Sequence, residues 1–114
     1  MFLVAAALAA AITTPSIPPT SVADARETLD TALPDYPSTR LKDVRAMRFS
    51  DGSIEFCGMI NPKNRLGGYE GWQTFVVMTK LKLLIPQSTC LGGDLLPGDV
   101  TALLAPKSSP SVDR

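Results

Sequence analysis

The spacing of apolar residues in the first half of the chain predicts one helix. Between Asp24 and Leu33, apolar side chains recur at intervals of three or four residues, and charged side chains occupy the positions between them. This spacing is typical of a short amphipathic helix with one buried face. Pro34 and Pro37 follow directly, so we expect the helix to end there.

The middle of the chain has the composition of β-strands. Arg40–Phe49 mixes charged and apolar residues without clean alternation, which predicts a strand with one exposed face and a bulge. Asp51-Gly52 then predicts a hairpin to a second strand, Ser53–Ile60. A third strand, Gly71–Leu81, is apolar on both faces, so we expect it to be the central or best-covered strand.

The last third of the chain is less regular. The segment LKLLIP, residues 81–86, either prolongs the third strand or begins a fourth, and Asp99 is placed to cap a helical stretch over Val100–Leu104. Residues 106–114 are polar and are expected to form a flexible tail. The predicted fold class is α+β: a small antiparallel β-meander of about three strands, with an N-terminal helix and a short C-terminal helix packed on one face.

The apolar run Phe2–Ile12 predicts export. It is uncharged and too short to span a bilayer as a helix, which takes about 20 residues, and it fits the central region of a signal peptide. Ser21-Val22-Ala23 and Ala23-Asp24-Ala25 both offer the small-x-small pattern of signal peptidase sites. We therefore predict a signal peptide over residues 1–25, a single domain over residues 26–105, and a periplasmic or secreted protein with no membrane span in its mature form.

An alternative stays open for this N-terminal segment. No basic residue precedes the apolar run, so either the protein starts further upstream or the signal is atypical. The competing interpretation is an N-terminal core helix, which Pro15, Pro18 and Pro19 disfavour because they would separate it from the rest of the chain.

The chain of 114 residues has two cysteines, Cys57 and Cys90. In an oxidising compartment their simplest state is a disulfide, which would stabilise so small a domain by about 3 to 4 kcal/mol on the chain-entropy model. If the protein stayed in the cytosol, the alternative would be two free buried thiols.

Charge and composition narrow the function classes. Eleven basic and eleven acidic residues cancel, so no net field favours nucleic acid, and the basic stretch from Arg40 to Arg48 is interpreted as a solvated strand face. The chain has no histidine, which excludes triads and metal sites that depend on that residue. We assign no catalytic residue, no metal ligand and no cofactor.

The loop between the second and third strands, residues 61–72, contains the candidate site. One interpretation is a self-braced connection, in which glycines and asparagines hold the backbone: Asn61, Asn64, Gly67, Gly68 and Gly71. The other is a binding surface, because loops often carry binding residues. The side chains assigned to binding are Lys63, Arg65, Tyr69 and Trp72.

Two stretches of the chain resemble a protein family. DYPSTRLKDV, residues 35–44, and CGMINPKNRLGGYEGWQTF, residues 57–75, are similar to the patterns D-P-x-S-A-R-F-x-D-V and C-G-x-V-N-x-K-N-x-x-G-x-Y-x-G-[FW]-x-x-F. These patterns occur in a group of small, uncharacterised exported proteins of proteobacteria. Tyr36, which shifts the proline, and Ile60, in place of valine, are departures. The resemblance implies export and a similar fold, and it implies no mechanism.

Two function classes follow. The first is an exported, disulfide-stapled, non-catalytic binding or envelope-associated module, with a protein, peptide or glycan partner in the cell envelope. The alternative is an envelope enzyme or enzyme inhibitor that uses the Gly-rich loop 61–72. A concave pocket uniting Tyr69, Lys63 and an acidic side chain would favour the alternative, and a flat loop packed on its own sheet would favour the first.

Overall fold

The computed structural model describes residues 17–106, and the fold in this range is α+β. The predicted signal run Phe2–Ile12 and residues 107–114 of the predicted tail lie outside it. The sheet has five strands, so the prediction of about three was too low. The elements are α1 (Pro19–Ala32), a 3₁₀ turn (Tyr36–Ser38), β1 (Arg40–Arg48), β2 (Ile54–Asn61), β3 (Gln73–Met78), β4 (Leu83–Pro86), β5 (Asp94–Leu95) and α2 (Thr101–Leu104).

The strands form one antiparallel sheet in the order β4-β3-β2-β1-β5. The hairpin at Asp51-Gly52 is confirmed, since Gly52 takes a positive φ of 88° and the strands on either side of the turn pair. LKLLIP contributes a separate strand, β4, rather than an extension of β3. The central strand is β2, because β5 adds to the far edge of β1; the third strand, predicted to be the central or best-covered one, lies beside it as β3.

The predicted bulge in β1 is also present. The pairing register with β2 shifts between Lys42 and Arg45, and Asp43 takes a positive φ of 56°. Gly58 in β2 lies directly against this bulge, where a Cβ atom would come within 2.8 Å of the Val44 Cα. A glycine is therefore required at this position for the two backbones to approach so closely.

One face of the sheet, called here the helix face, carries the hydrophobic core. Alternate side chains of the strands point towards α1 and α2, and the large residues among them are fully buried. This cluster consists of Ala25, Leu29, Tyr36, Val44, Ala46, Ile54, Phe56, Ile60, Phe75, Val77 and Leu104. Both ends of the described chain contribute to it, so the terminal helices close the domain over the same face.

Polar contacts join α1 to the single turn of α2. The Arg26 guanidinium donates hydrogen bonds to the carbonyls of Leu103, at 2.9 Å, and Ala105, at 2.7 Å. The buried Tyr36 hydroxyl donates to the Leu104 carbonyl between them. These donors satisfy carbonyls that the short helix leaves without an intrahelical partner. Burial raises the pKa of the Tyr36 phenol above its ordinary value.

Helix α1 begins earlier than predicted. It starts at Pro19, which occupies the first turn, where a missing backbone N–H costs nothing. The helix was predicted to start at Asp24, five residues later. Both predicted cleavage positions, after Ala23 and after Ala25, therefore lie within α1. No helix in residues 17–106 has the length and apolar character needed to cross a membrane.

The opposite face of the sheet, called here the disulfide face, is covered by residues 87–96. Cys57 in β2 is bonded to Cys90 in this segment, with their Cα atoms 5.6 Å apart, so the predicted disulfide is confirmed. Gly93 lies close against β1, since a Cβ there would be 2.9 Å from the Arg48 carbonyl oxygen. The segment then enters β5, which pairs with the end of β1.

Candidate functional site

The backbone of loop 61–72 is held by its asparagines. The Asn64 side-chain oxygen accepts hydrogen bonds from the backbone N–H groups of Leu66, at 2.9 Å, and Gly68, at 3.0 Å. The Asn64 backbone also bonds to Gly67 and Gly68. A single asparagine thus satisfies several amides of a turn that has no strand partner.

A second asparagine fixes the base of the loop. Asn61 is buried, and its side-chain oxygen accepts the Gly71 N–H at 2.8 Å. Across the loop, the Glu70 N–H donates to the Pro62 carbonyl at 2.9 Å, and Lys63 forms an isolated antiparallel bridge with Tyr69. The loop is therefore a narrow continuation of the β2–β3 hairpin.

The glycines of the loop have different roles. Gly67 and Gly71 take positive φ angles of 92° and 103°, which side chains rarely adopt, so both fit the structural role predicted for them. Gly68 lies outside the positive-φ region, and the atom nearest to an added Cβ would be 3.7 Å away. A glycine at position 68 is therefore not required by backbone geometry or by space.

Two cations of this region lie over one aromatic ring. The Arg40 Cζ is 4.3 Å from the centroid of the Tyr69 ring, and the Lys63 Nζ is 5.4 Å from the same centroid. Because both distances are measured to the same ring centroid, the two charged groups lie no more than about 10 Å apart. The Tyr69 hydroxyl donates to the Ser38 carbonyl at 2.9 Å, which fixes the ring against the start of β1.

A third cation, two residues after Arg40 on β1, lies over a second aromatic ring. The Lys42 Nζ lies 4.3 Å from the centroid of the Trp72 ring. Leu41 packs against the core on the helix face, so its neighbours Arg40 and Lys42 point to the disulfide face. The alternation of β1 therefore presents two cations side by side to the rings of the following hairpin.

These five side chains, Arg40, Lys42, Lys63, Tyr69 and Trp72, are called here the cation–aromatic patch. Tyr69 is 39% exposed and Trp72 is 40% exposed. Within residues 17–106, none of the three cations has a carboxylate oxygen within 4.0 Å. Their charge is therefore oriented by the rings without being neutralised by an acidic side chain of the described chain.

Two further residues extend this surface at the tip of the loop. Arg65 is exposed, and Leu66 beside it is 96% exposed. Among the described residues, neither forms a hydrogen bond, ion pair or ring contact with the cation–aromatic patch. Of the four predicted binding residues, the structure brings Lys63, Tyr69 and Trp72 to the patch and leaves Arg65 at its margin.

A shallow groove lies beside the loop on the side of the 3₁₀ turn. Its lining residues are Pro34, Asp35, Lys63, Asn64, Arg65 and Gly67. The groove unites Lys63 with an acidic side chain, and Tyr69 does not line it. The arrangement that would favour an enzyme, a pocket with all three kinds of residue, is therefore only partly present.

Sequence reasoning missed the two residues of β1. Arg40 and Lys42 were interpreted as part of a solvated strand face; both are exposed, and each also lies over a ring of the hairpin that follows. The signal that could have found them is the pairing of β1 with β2, because Arg40 is opposite Asn61 and Lys42 is opposite Met59. That register places both cations at the base of the loop.

The other side chains that could take part in catalysis either lie away from the patch or are already covalently bonded. Cys57 is in the disulfide. Glu55, whose carboxyl pKa is raised by burial, lies at the opposite end of β2 from the loop that carries Glu70. Residues 17–106 contain no cluster of three or more acidic or cysteine side chains able to hold a metal ion.

Comparison of the chain with protein-family models, with curated proteins and with solved structures finds no match. The resemblance to exported proteobacterial proteins therefore stays a prediction, and the geometry of the patch carries the functional argument.

Proposed function

We propose that this protein is a small exported, disulfide-stapled binding module without catalytic activity, and that the cation–aromatic patch binds an acidic segment of a protein partner in the cell envelope. The observation that carries the proposal is the arrangement of Arg40, Lys42 and Lys63 over two half-exposed rings, with no carboxylate partner in residues 17–106. An acidic segment would supply the missing charges.

The chemistry of the patch favours a protein partner. Tryptophan, tyrosine and arginine dominate the energetic centres of protein interfaces, and this patch contains all three, with Arg40 over Tyr69 and Lys42 over Trp72. Leu66, at the tip of the loop, adds an exposed apolar side chain at the margin. The mixture suits a partner whose carboxylates alternate with apolar residues.

The braced backbone supports the same proposal. Asn61 and Asn64 fix the loop through its own amides, so binding would not have to order it first. Fewer degrees of freedom are then lost when the partner binds, which strengthens association without added contacts. Bracing and binding are thus compatible roles, divided between the asparagines and glycines on one side and the charged and aromatic side chains on the other.

The enzyme or inhibitor alternative has less support. It relies on the groove that joins Lys63 to Asp35, which is open and lacks Tyr69. Its lining residues within the described range include no hydroxyl or thiol side chain that could act as a nucleophile.

The test measures binding of a glutamate-rich peptide that also contains leucine, compared with its glutamine analogue, by calorimetry. We expect the acidic peptide to bind, with affinity falling as salt rises. The double variant Arg40→Gln/Lys63→Gln should weaken binding at least about tenfold while the melting temperature stays nearly unchanged, because exposed charges contribute little to stability.

The matched control is Lys80→Gln. Lys80 pairs with Asp51 at the other end of the sheet, so this variant removes an exposed cation away from the patch. It should leave peptide binding unchanged. If both variants lost the same affinity for the acidic peptide, net charge alone would explain the binding and the patch would have no specific role. Binding of anionic lipid vesicles without binding of the acidic peptide would contradict a protein partner.

A further inference from the structure

An open cavity lies beside the Asp51-Gly52 hairpin, at the end of β2 opposite the cation–aromatic patch. Its volume is about 470 Å³, within the range of about 300 to 1,000 Å³ that is usual for small-molecule sites. Three apolar and three charged side chains form most of its lining: Phe49, Met78, Leu81, Asp51, Glu55 and Lys80. Apolar walls with a few charged groups are typical of a site that binds a small organic ion.

Glu55 occupies an apolar position in the sheet. It pairs with Met47 of β1 on one side and with Met78 of β3 on the other. Directly paired residues are close neighbours on the same face of a sheet, so the carboxyl group lies between two methionine side chains. Burial raises the pKa of the Glu55 carboxyl above its ordinary value. The ionised carboxylate is therefore less well solvated in the folded protein than in water.

The charge of Glu55 is not compensated by the part of the chain that the structure describes. Within residues 17–106, its carboxylate accepts no hydrogen bond and has no cation within 4.0 Å. The other two charges of the cavity neutralise each other, because the Lys80 ammonium lies 3.0 Å from the Asp51 carboxylate. Asp51 also accepts hydrogen bonds from the Ser53 N–H and hydroxyl groups. One uncompensated negative charge is thus left in the cavity, on Glu55.

We propose that this cavity binds an alkylammonium group, which is a protonated primary amine at the end of an apolar chain. The Glu55 carboxylate accepts hydrogen bonds from the ammonium group, and the walls formed by Phe49, Met78 and Leu81 contact the methylene chain. An ammonium is a compact charge that a single carboxylate can neutralise. Such a group occurs in free aliphatic amines and in the lysine side chains of peptides.

The energetics of Glu55 agree with a role in binding rather than in stability. An unpartnered carboxylate between apolar side chains disfavours folding, as the raised pKa indicates. A bound cation offsets this cost through charge-assisted hydrogen bonds, which are stronger in such surroundings than in water. The site differs from the cation–aromatic patch in its position and in the sign of its charge, so each of the two proposals can fail without the other.

The test is a titration of the full chain with n-hexylammonium at neutral pH, followed by nuclear magnetic resonance of the methionine methyl groups. We expect a saturable shift of the Met78 methyl signal. The neutral analogue n-hexanol should bind at least about tenfold more weakly, because it has the same chain without the charge. Equal affinity for the two compounds, or no saturable shift at Met78 with n-hexylammonium, would overturn the proposal.

Two matched variants test the role of Glu55. Glu55→Gln should weaken n-hexylammonium binding at least about tenfold, while the melting temperature stays unchanged or rises because an unpartnered charge is removed. Glu70→Gln makes the same change at an exposed position of loop 61–72 and should leave this binding unchanged. Equal weakening in both variants would show that Glu55 has no specific role and would overturn the proposal.

A second probe distinguishes the two sources of the ligand. N-acetyl-lysine N-methylamide presents the same ammonium group on a peptide backbone. If it binds more tightly than n-hexylammonium and loses affinity in Glu55→Gln, the cavity binds a lysine side chain of a peptide. If n-hexylammonium binds more tightly and depends on Glu55, the ligand is a free aliphatic amine. Binding of both probes that is unaffected by Glu55→Gln would overturn the proposal for either source.

Discussion

The two faces of the sheet are stabilised by different interactions. On the helix face, Leu29, Phe56 and Phe75 are fully buried between the sheet and α1. On the disulfide face, a covalent bond fastens residues 87–96, and at the loop end Tyr69 and Trp72 stay about two-fifths exposed under their cations.

This difference separates stability from binding. Burial stabilises by roughly 25 cal/mol for each Å² of apolar surface, so large core side chains contribute several kcal/mol together. An exposed cation–π contact contributes only about 0.5 to 1 kcal/mol. The helix face and the disulfide therefore hold the fold, and the patch on the other face is available to a partner because little stability depends on it.

The largest expected effect tests the helix face. Phe56→Ala removes a fully buried ring from β2 and should lower the free energy of unfolding by about 3 to 5 kcal/mol, measured by urea denaturation. The control is Met59→Ala, in the same strand but half-buried on the disulfide face, where we expect less than half that loss. Equal losses would show that the two faces contribute alike.

The next effect tests the covalent link of the disulfide face. Replacing both Cys57 and Cys90 by serine opens a loop with a sequence separation of 33 residues. We expect the free energy of unfolding to fall by about 3 to 4 kcal/mol on the chain-entropy model, with a clear drop in melting temperature. A reducing agent should cause a similar drop in the unaltered protein and none in the double variant, and an unchanged melting temperature would contradict the role of the bond.

Sequence patterns predicted the parts of the fold that local signals encode. The Asp51-Gly52 turn, the β1 bulge and the pairing of the two cysteines were all found from neighbouring residues or from composition. The number of strands was too low for two reasons: residues 81–86 contribute a separate strand, β4, which the sequence left open, and β5 has only two residues, Asp94 and Leu95, and pairs with a strand far away in sequence. So short a segment has no periodicity of its own.

The candidate site was predicted only in part, because some of its contacts also depend on pairing between distant parts of the chain. Lys63, Tyr69 and Trp72 stood out because they are close together in an unusual loop. Arg40 and Lys42 did not, since their contacts with the rings depend on strand register, which places residues about thirty positions apart side by side. Likewise, Gly68 resembled its neighbour Gly67, and only backbone angles distinguish the two.

An intermediate effect compares one tyrosine from each face. Burial raises the pKa of Tyr36, so the folded state favours the neutral phenol. The resulting stability is present below the unfolded pKa, about 10, and is lost as pH rises through the higher folded value. Tyr36→Phe should cost about 1 to 3 kcal/mol at neutral pH, because the Leu104 carbonyl loses its donor, and should reduce the loss of stability in alkali.

Urea denaturation is the measurement, at neutral and alkaline pH for Tyr36→Phe, and Tyr69→Phe is the matched control at neutral pH. Tyr69 is partly exposed and donates to the Ser38 carbonyl at the surface, where water can replace it. We expect a smaller loss at neutral pH than Tyr36→Phe causes. If Tyr69→Phe cost as much stability at neutral pH as Tyr36→Phe, the contrast between the two faces would fail.

The smallest expected effect separates bracing from binding inside the loop itself. Gly67→Ala forces a side chain into a positive φ of 92° and should lower the free energy of unfolding by about 1 to 2 kcal/mol. Gly68→Ala places a methyl group at an ordinary contact distance, 3.7 Å, from the Asn64 side chain and outside the positive-φ region, so stability should stay unchanged or rise slightly, since alanine restricts the unfolded chain. Thermal unfolding of the two variants under identical conditions gives the comparison.

Both glycine variants should still bind the acidic peptide well below their melting temperatures, because the cations over Tyr69 and Trp72 are untouched. Lys63→Gln, in contrast, should weaken peptide binding and leave the melting temperature unchanged. If Gly67→Ala abolished peptide binding while the protein remained folded, the backbone of the loop would itself be part of the binding surface, and the division between bracing and binding residues would be wrong.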